Sequence, residues 1–209
     1  MHTVFDTLSI PAPAERARRH RIAGRDPPRH SVDRFQSVAR ALAARGEVPT
    51  LDGIASAART LLQAHAGHGA VPGIRQRRRC LQALRMLARE PGWRLAPEQA
   101  QRIELLDGYA RGDDRLVPDA VPVIGGLDTA VLVDLAWPEL ADDAEAYLDF
   151  RRLRIEEALL RGQHPRDFPF DREQWLEARR AEAALIAHVR ERGAQSYMPD
   201  PPPRLFVVH

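Results

Sequence analysis

The sequence contains no lysine: all 31 basic residues of this 209-residue chain are arginine. The codon usage of a GC-rich genome explains such a bias without any function. Selection for guanidinium forks, which meet carboxylates and phosphates two-pronged, is the functional alternative. The formal net charge is only +2, so bulk charge gives no argument for nucleic acid as a partner. Cysteine is nearly absent. Cys80 stands alone, no internal disulfide can form, and a reducing compartment is expected. Aromatic residues make up only 6% of the chain, and abundant alanine points to close-packed helices rather than sheets. The N-terminus lacks a basic start followed by an apolar run, so no secretory signal is expected and a bacterial cytoplasmic protein is. Also missing are a Gly-rich nucleotide loop, a nucleophile–base triad and a Cys/His metal spacing. No cofactor is expected, and a non-enzymatic role is favoured over an enzyme.

What is present is a succession of amphipathic helices between two arms. Residues 1–30 read as an N-terminal arm: Thr3 to Ile10 has some extended character, and Pro11, Pro13, Pro27 and Pro28 obstruct helix. Residues 31–193 read as one helical domain. Ser31 is placed as the N-cap of a first helix carrying Val32, Phe35, Val38 and Leu42 at helical spacing, with Gly46 as its stop. Thr50 caps a second helix, which ends near His65 and His68; this H-x-x-H pair reads as a helix terminus rather than a metal site. A third helix runs from Ile74 to about Glu90 with Leu81, Leu84 and Ala88 buried. A fourth starts at Pro97 with Ala100, Ile103, Leu106 and Ala110 inward. After Pro138 a long helix carries Leu140, Ala144, Leu148, Ile155 and Leu159 along one side. Asp171 caps a last helix whose buried side is Ala178, Ala181, Leu185 and Val189. Residues 194–209 form a Pro-rich tail ending in Leu205 to Val208, a candidate docking peptide.

The third helix offers the clearest candidate surface. Arg75, Arg78, Arg79, Arg85 and Arg89 fall at i, i+3, i+4 steps on one face with no acidic residue in the stripe. Like charges at that spacing cost about 0.2–0.5 kcal/mol per pair. Two readings follow. Either the stripe is neutralised within the fold by the acidic segment Glu139 to Asp149, or it holds an external anion or partner.

The longest apolar run is Leu116 to Trp137, broken by two prolines, a Gly-Gly pair and three aspartates. As physics it reads as two short helices joined at Gly125-Gly126, with Asp119 capping the first, Pro122 in its opening turn, and Asp128 capping the second. Leu116, Pro118, Asp119, Pro122, Val123, Ile124, Gly125, Leu127 and Asp128, with Tyr109 just upstream, resemble the signature of the YkvA-like family, a bacterial domain without an established activity. The resemblance covers residues 109–137 and implies a helical hairpin. Two departures stand out: Thr129 replaces the second aspartate of the family's Asp-Asp pair, and Gly112-Asp113-Asp114-Arg115 replaces its preceding Ser-Pro-x-Asp. Family members are often described as membrane-associated, but three aspartates at roughly 2.5–3.5 kcal/mol each near a bilayer centre argue against a span. A peripheral membrane contact stays open.

The expectation is therefore an all-α protein of six to seven helices packed around a Pro/Gly-broken hairpin (Pro118, Asp119, Pro122, Gly125, Gly126, Asp128), with extended arms. Its expected role is that of an interaction or accessory protein. The partner, more readily another protein than nucleic acid, would meet the Arg stripe or the tail Leu205–Val208. The alternatives are a metal-dependent enzyme using Asp119, Asp128 and Asp134, and a nucleic-acid-binding protein using the Arg stripe and the basic arm. No oligomeric state follows from the sequence.

Overall fold

The computed structural model describes residues 20–43, 47–66 and 69–195. Among these, seven α-helices and no strand are formed: α1 (Arg29–Leu42), α2 (Leu51–Ala64), α3 (Pro72–Ala88), α4 (Pro97–Arg111), α5 (Leu127–Ala136), α6 (Ala141–Leu160) and α7 (Arg172–Gln195). A single 3-10 turn, Trp137–Glu139, links α5 to α6. This is the all-α class expected from the sequence. The chain divides into two compact units, Met1–Arg152 and Leu153–His209. Most of the expected N-terminal arm, His68, Gly46 and the tail Leu205–Val208 lie outside the described residues.

In the first unit α5 is the central rod. Its sequence, LDTAVLVDLA, is apolar on nearly every side, and such a helix must be enclosed. Leu127 to Val133 and Ala136 are all buried, with α1, α3 and α4 packed against them. Removing a leucine or isoleucine side chain from water contributes roughly 1.5–3 kcal/mol. Ile124, Leu127 and Leu132, all buried, therefore organise the unit more strongly than any surface ion pair. The surrounding helices each turn one stripe inward: Phe35, Ala39 and Leu42 from α1, Ile54 and Ala58 from α2, Ile74, Leu81, Leu84 and Leu87 from α3, Ile103 and Leu106 from α4. Further along, Trp93 packs edge-on against Tyr147 and Phe150, with centroids 5.9 and 5.4 Å apart.

Several expected details change. α1 begins at Arg29 behind Pro28, so Ser31 is a buried residue inside the first turns and not the cap. On α3 the buried margin is Leu87, and Ala88 is exposed. On α4 the inward face is completed by Asp107 and Tyr109 instead of Ala100 and Ala110. On α6 Tyr147 and Phe150 are buried, and Leu148 is exposed. Thr50 does cap α2, its hydroxyl accepting the Gly53 N–H at 3.1 Å. Pro97 does open α4.

The expected two-helix hairpin is half formed. Residues 112–126 run as consecutive bends and turns, and only the second arm, α5, is helical. Two glycines make this possible. Gly126 takes φ +77° as the residue before α5, a left-handed conformation that glycine adopts at little cost. A Cβ on Gly125 would lie 2.4 Å from the Asp119 carbonyl oxygen, so the backbone can fold back only where no side chain intervenes.

The second unit holds the end of α6, a loop and α7. Asp171 caps α7 as expected: its carboxylate accepts the Gln174 N–H at 2.9 Å, and Gln174 Oε1 accepts the Asp171 N–H at 3.0 Å. This is a reciprocal capping box. Phe168 and Phe170 stack at 6.0 Å, with the Arg161 guanidinium over Phe168. The expected buried side of α7 is not buried. Ala181 is exposed, as are Leu185, Ile186 and Val189, and Ala178 is only half-buried. No helix among the described residues is long and apolar enough to cross a membrane.

Candidate functional site

The loop between α4 and α5 is held by a buried polar network. The Tyr109 hydroxyl donates to Asp128 Oδ2 at 2.6 Å and accepts the Leu116 N–H at 3.0 Å. The Val117 N–H donates to the same carboxylate oxygen at 2.9 Å, and the Thr129 N–H donates to the other oxygen at 2.8 Å. Tyr109 and Asp128 are both essentially inaccessible to water. Burial pushes the Asp128 carboxyl above its ordinary range, against the pull of these donors. Burial, reinforced by the neighbouring Asp128, also holds the Tyr109 phenol protonated far above its usual range. Asp128 is thus not the cap of α5: Gly126 occupies that position and no side chain caps it. Asp128 instead points back from the first turn and ties the entering chain to α4.

Asp119 does not cap a helix either, because the first short helix is absent. Its carboxylate lies 2.7 Å from Arg115 Nη1 and 3.6 Å from Arg78 Nη1. Asp134 is 2.9 Å from the Nε of Arg77, a guanidinium only 3% exposed. The three aspartates proposed for a cation therefore face three separate sets of partners. No group of three or more His, Cys, Asp or Glu able to hold a metal exists among the described residues. Cys80, half-buried beside Arg77 and Asp134, has its thiol pKa raised by burial, the opposite of what an activated thiolate needs.

The arginine stripe is divided by the fold. Arg85 pairs with Asp107 on α4, and Arg78 pairs with Asp119 in the loop. The neutralising carboxylates are these two and not the segment Glu139 to Asp149. Two further guanidiniums share them: Arg111 Nη2 lies 2.7 Å from Asp107, and Arg115 completes the pair on Asp119. Arg75, Arg79 and Arg89 are exposed and make no ion pair among the described residues.

Where α3, α4 and the loop converge there is a pocket of about 220 Å³, with Arg78, Arg85, Arg111 and Arg115 around it and Thr129 and Gly126 in its wall. A larger cavity of about 550 Å³ lies between residues 22–31 and 113–122, walled by Ile22, Pro28, Leu116, Val121 and Pro122 with His30 at its edge. Sequence reasoning singled out Arg78 and Arg85 but missed Tyr109, Arg77, Arg111, Arg115 and Thr129 as structural or site residues. Arg77 was detectable in principle, because it sits between Ile74 and Leu81 on the apolar side of α3. Arg111 reaches the site from the last turn of α4, where it lies i,i+4 from Asp107, whereas Arg115 joins it only through the bend after Gly112.

No family model matches this chain, and neither a curated protein nor a solved structure matches it.

Proposed function

We propose that this protein is a cytoplasmic, non-enzymatic interaction or accessory protein of YkvA-like type, which engages a negatively charged partner through the arginine face of α3. The observation that carries the reading is the division of the stripe: Arg75, Arg79 and Arg89 are exposed with no acidic partner among the described residues. Arg75 and Arg79, four residues apart, repel each other mildly, a cost that an acidic partner surface would relieve, and Arg89 extends the same face. Guanidinium groups retain their charge at any physiological pH and match carboxylate geometry with paired donors. The YkvA-like part of the proposal rests on residues 109–137, in which Gly125, Gly126 and Asp128 each have a distinct stereochemical task.

The test uses the full chain with Arg75→Glu, Arg79→Glu and Arg89→Glu combined. These side chains make no ion pairs within the described fold, so the helical circular dichroism and melting behaviour should match the parent protein. Affinity capture from the native host should lose the salt-sensitive partners of the parent protein. If the folded triple variant retains the same bound set, the face has no such role.

A further inference from the structure

We infer that the pocket between α3, α4 and the 112–126 loop is a binding site for a phosphate monoester group. The inference goes beyond the role of the α3 face, because none of the exposed Arg75, Arg79 and Arg89 lines this pocket.

Three observations converge on it. The first is charge. Arg78, Arg85, Arg111 and Arg115 surround the space, and the carboxylates ion-paired with them are Asp107 and Asp119, each shared by two guanidiniums; the buried Asp128 acts on Arg115 without an ion pair to it. Four guanidiniums against two paired carboxylates leave an excess of two among the paired groups. A carboxylate ligand would neutralise half of that excess. A phosphate monoester, at about −1.5 to −2 near neutral pH, matches it.

The second observation is unused hydrogen-bonding capacity. Thr129 is 5% exposed, lines the pocket, and its buried hydroxyl has no hydrogen-bond partner. The Nε of Arg115, another lining residue, is likewise buried and unpartnered. Buried polar atoms left without partners cost free energy, and natural folds rarely tolerate them without a reason. Here two such atoms belong to residues of one small, positively charged space. The Arg78–Asp119 pair at 3.6 Å is too long for a good charge-assisted hydrogen bond, so Arg78 keeps donors available for a ligand.

The third is size. At about 220 Å³ the pocket is smaller than the roughly 300–1,000 Å³ typical of sites that engulf a whole drug-sized molecule. It suits a terminal group presented by something larger, or a small ester.

The experiment titrates the full chain with phenyl phosphate, glycerol 3-phosphate, an O-phosphoserine peptide and acetate at matched ionic strength, following thermal stability and ³¹P line width. Saturable stabilisation by the phosphate esters, with none by acetate, is the expected result. Thr129→Val, close to isosteric but lacking the hydroxyl, should weaken phenyl phosphate binding roughly tenfold or more, as loss of a hydrogen bond to a charged group does. Arg111→Gln should weaken it comparably. Its guanidinium is largely exposed and Asp107 keeps Arg85, and an unchanged melting profile without ligand separates lost binding from a folding defect. Arg40→Gln, exposed on α1 and outside the pocket, should leave the affinity unchanged. Tighter binding of the peptide than of glycerol 3-phosphate assigns the group to a phosphorylated protein, and the reverse assigns it to a small metabolite. The inference is overturned if no phosphate ester binds, if acetate binds as well, or if Thr129→Val and Arg111→Gln both bind like the parent.

Discussion

Replacing Tyr109 with phenylalanine deletes one oxygen atom from the centre of the fold and should be among the more damaging conservative changes in this protein. The ring itself would stay: it is 1% exposed and packs edge-on against Phe35 at a centroid distance of 6.2 Å. The loss is therefore polar. The Leu116 N–H loses its acceptor at 3.0 Å, and Asp128 Oδ2 loses its shortest donor at 2.6 Å. An amide or carboxylate left unsatisfied in the interior costs about 1–3 kcal/mol, more where charge is involved. One orphaned amide, together with the lost hydrogen bond to an Asp128 oxygen that keeps the Val117 N–H, thus gives a destabilisation of about 2–5 kcal/mol, a large fraction of the roughly 5–15 kcal/mol that holds a domain together. Urea unfolding followed by far-ultraviolet circular dichroism measures it as a lower midpoint at unchanged slope. A double-mutant cycle with Asp128→Asn should show coupling of at least about 1 kcal/mol, since residues in one hydrogen-bond network do not act additively. A Tyr109→Phe cost below about 0.5 kcal/mol, or strict additivity with Asp128→Asn, would refute the view that this network pins the loop.

Three other outcomes follow from the same geometry. Burial raises the Asp128 pKa on folding, so the folded state holds that proton more tightly than the unfolded one. The associated stability is fully present below the ordinary carboxylate pKa and is lost as pH rises through the raised value; the urea stability of the parent minus that of Asp128→Asn should accordingly be more positive near pH 4 than at pH 8. Gly125→Ala would place a Cβ 2.4 Å from one backbone oxygen and 2.9 Å from another, and should cost more in thermal stability than Gly126→Ala, for which the penalty is the left-handed backbone, about 1 kcal/mol. Arg77→Ala removes a guanidinium that is 3% exposed from an Asp134 that is itself 23% exposed, and should lower unfolding stability by about 1–3 kcal/mol.

The helices were legible because each carries its own signal. Thr50, Pro97 and Asp171 mark starts by chemistry local to the backbone, and the helical spacing of Leu81 and Leu84 on α3 and of Ile103 and Leu106 on α4 marks the inward faces. Non-local pairing was not legible. Nothing in a linear reading says that Arg85 meets Asp107 while Arg78 meets Asp119, because those distances depend on how α3 lies across α4 and on the turn at Gly112. Periodicity also overstated burial at the far end. The stripe Ala181, Leu185 and Val189 on α7 is as regular as the core stripes, yet all three residues are exposed. A pattern shows which side of a helix could be buried. Whether a surface exists to cover it is decided elsewhere in the chain.

The aspartates of the central stretch show the same point at the scale of one side chain. Asp119, Asp128 and Asp134 are chemically identical and close in sequence, and the sequence alone invited treating them as a set. The fold gives each a different electrostatic setting. Asp128 is sealed from water, which raises its pKa against the pull of its donors, and those donors make it a structural pin. Asp134 is joined to a guanidinium buried in the core, where the value of each charge depends on the other. Asp119 sits part-exposed between two arginines at the mouth of a positively charged pocket. Of the three, it alone can exchange its partners without opening the core, because its ion pairs are reached by solvent and the longer one is already loose. If the pocket takes up a dianion, Asp119 is the group that must yield Arg78 to it. The sequence position that looked most like a helix cap is then the internal competitor that sets the pocket's affinity.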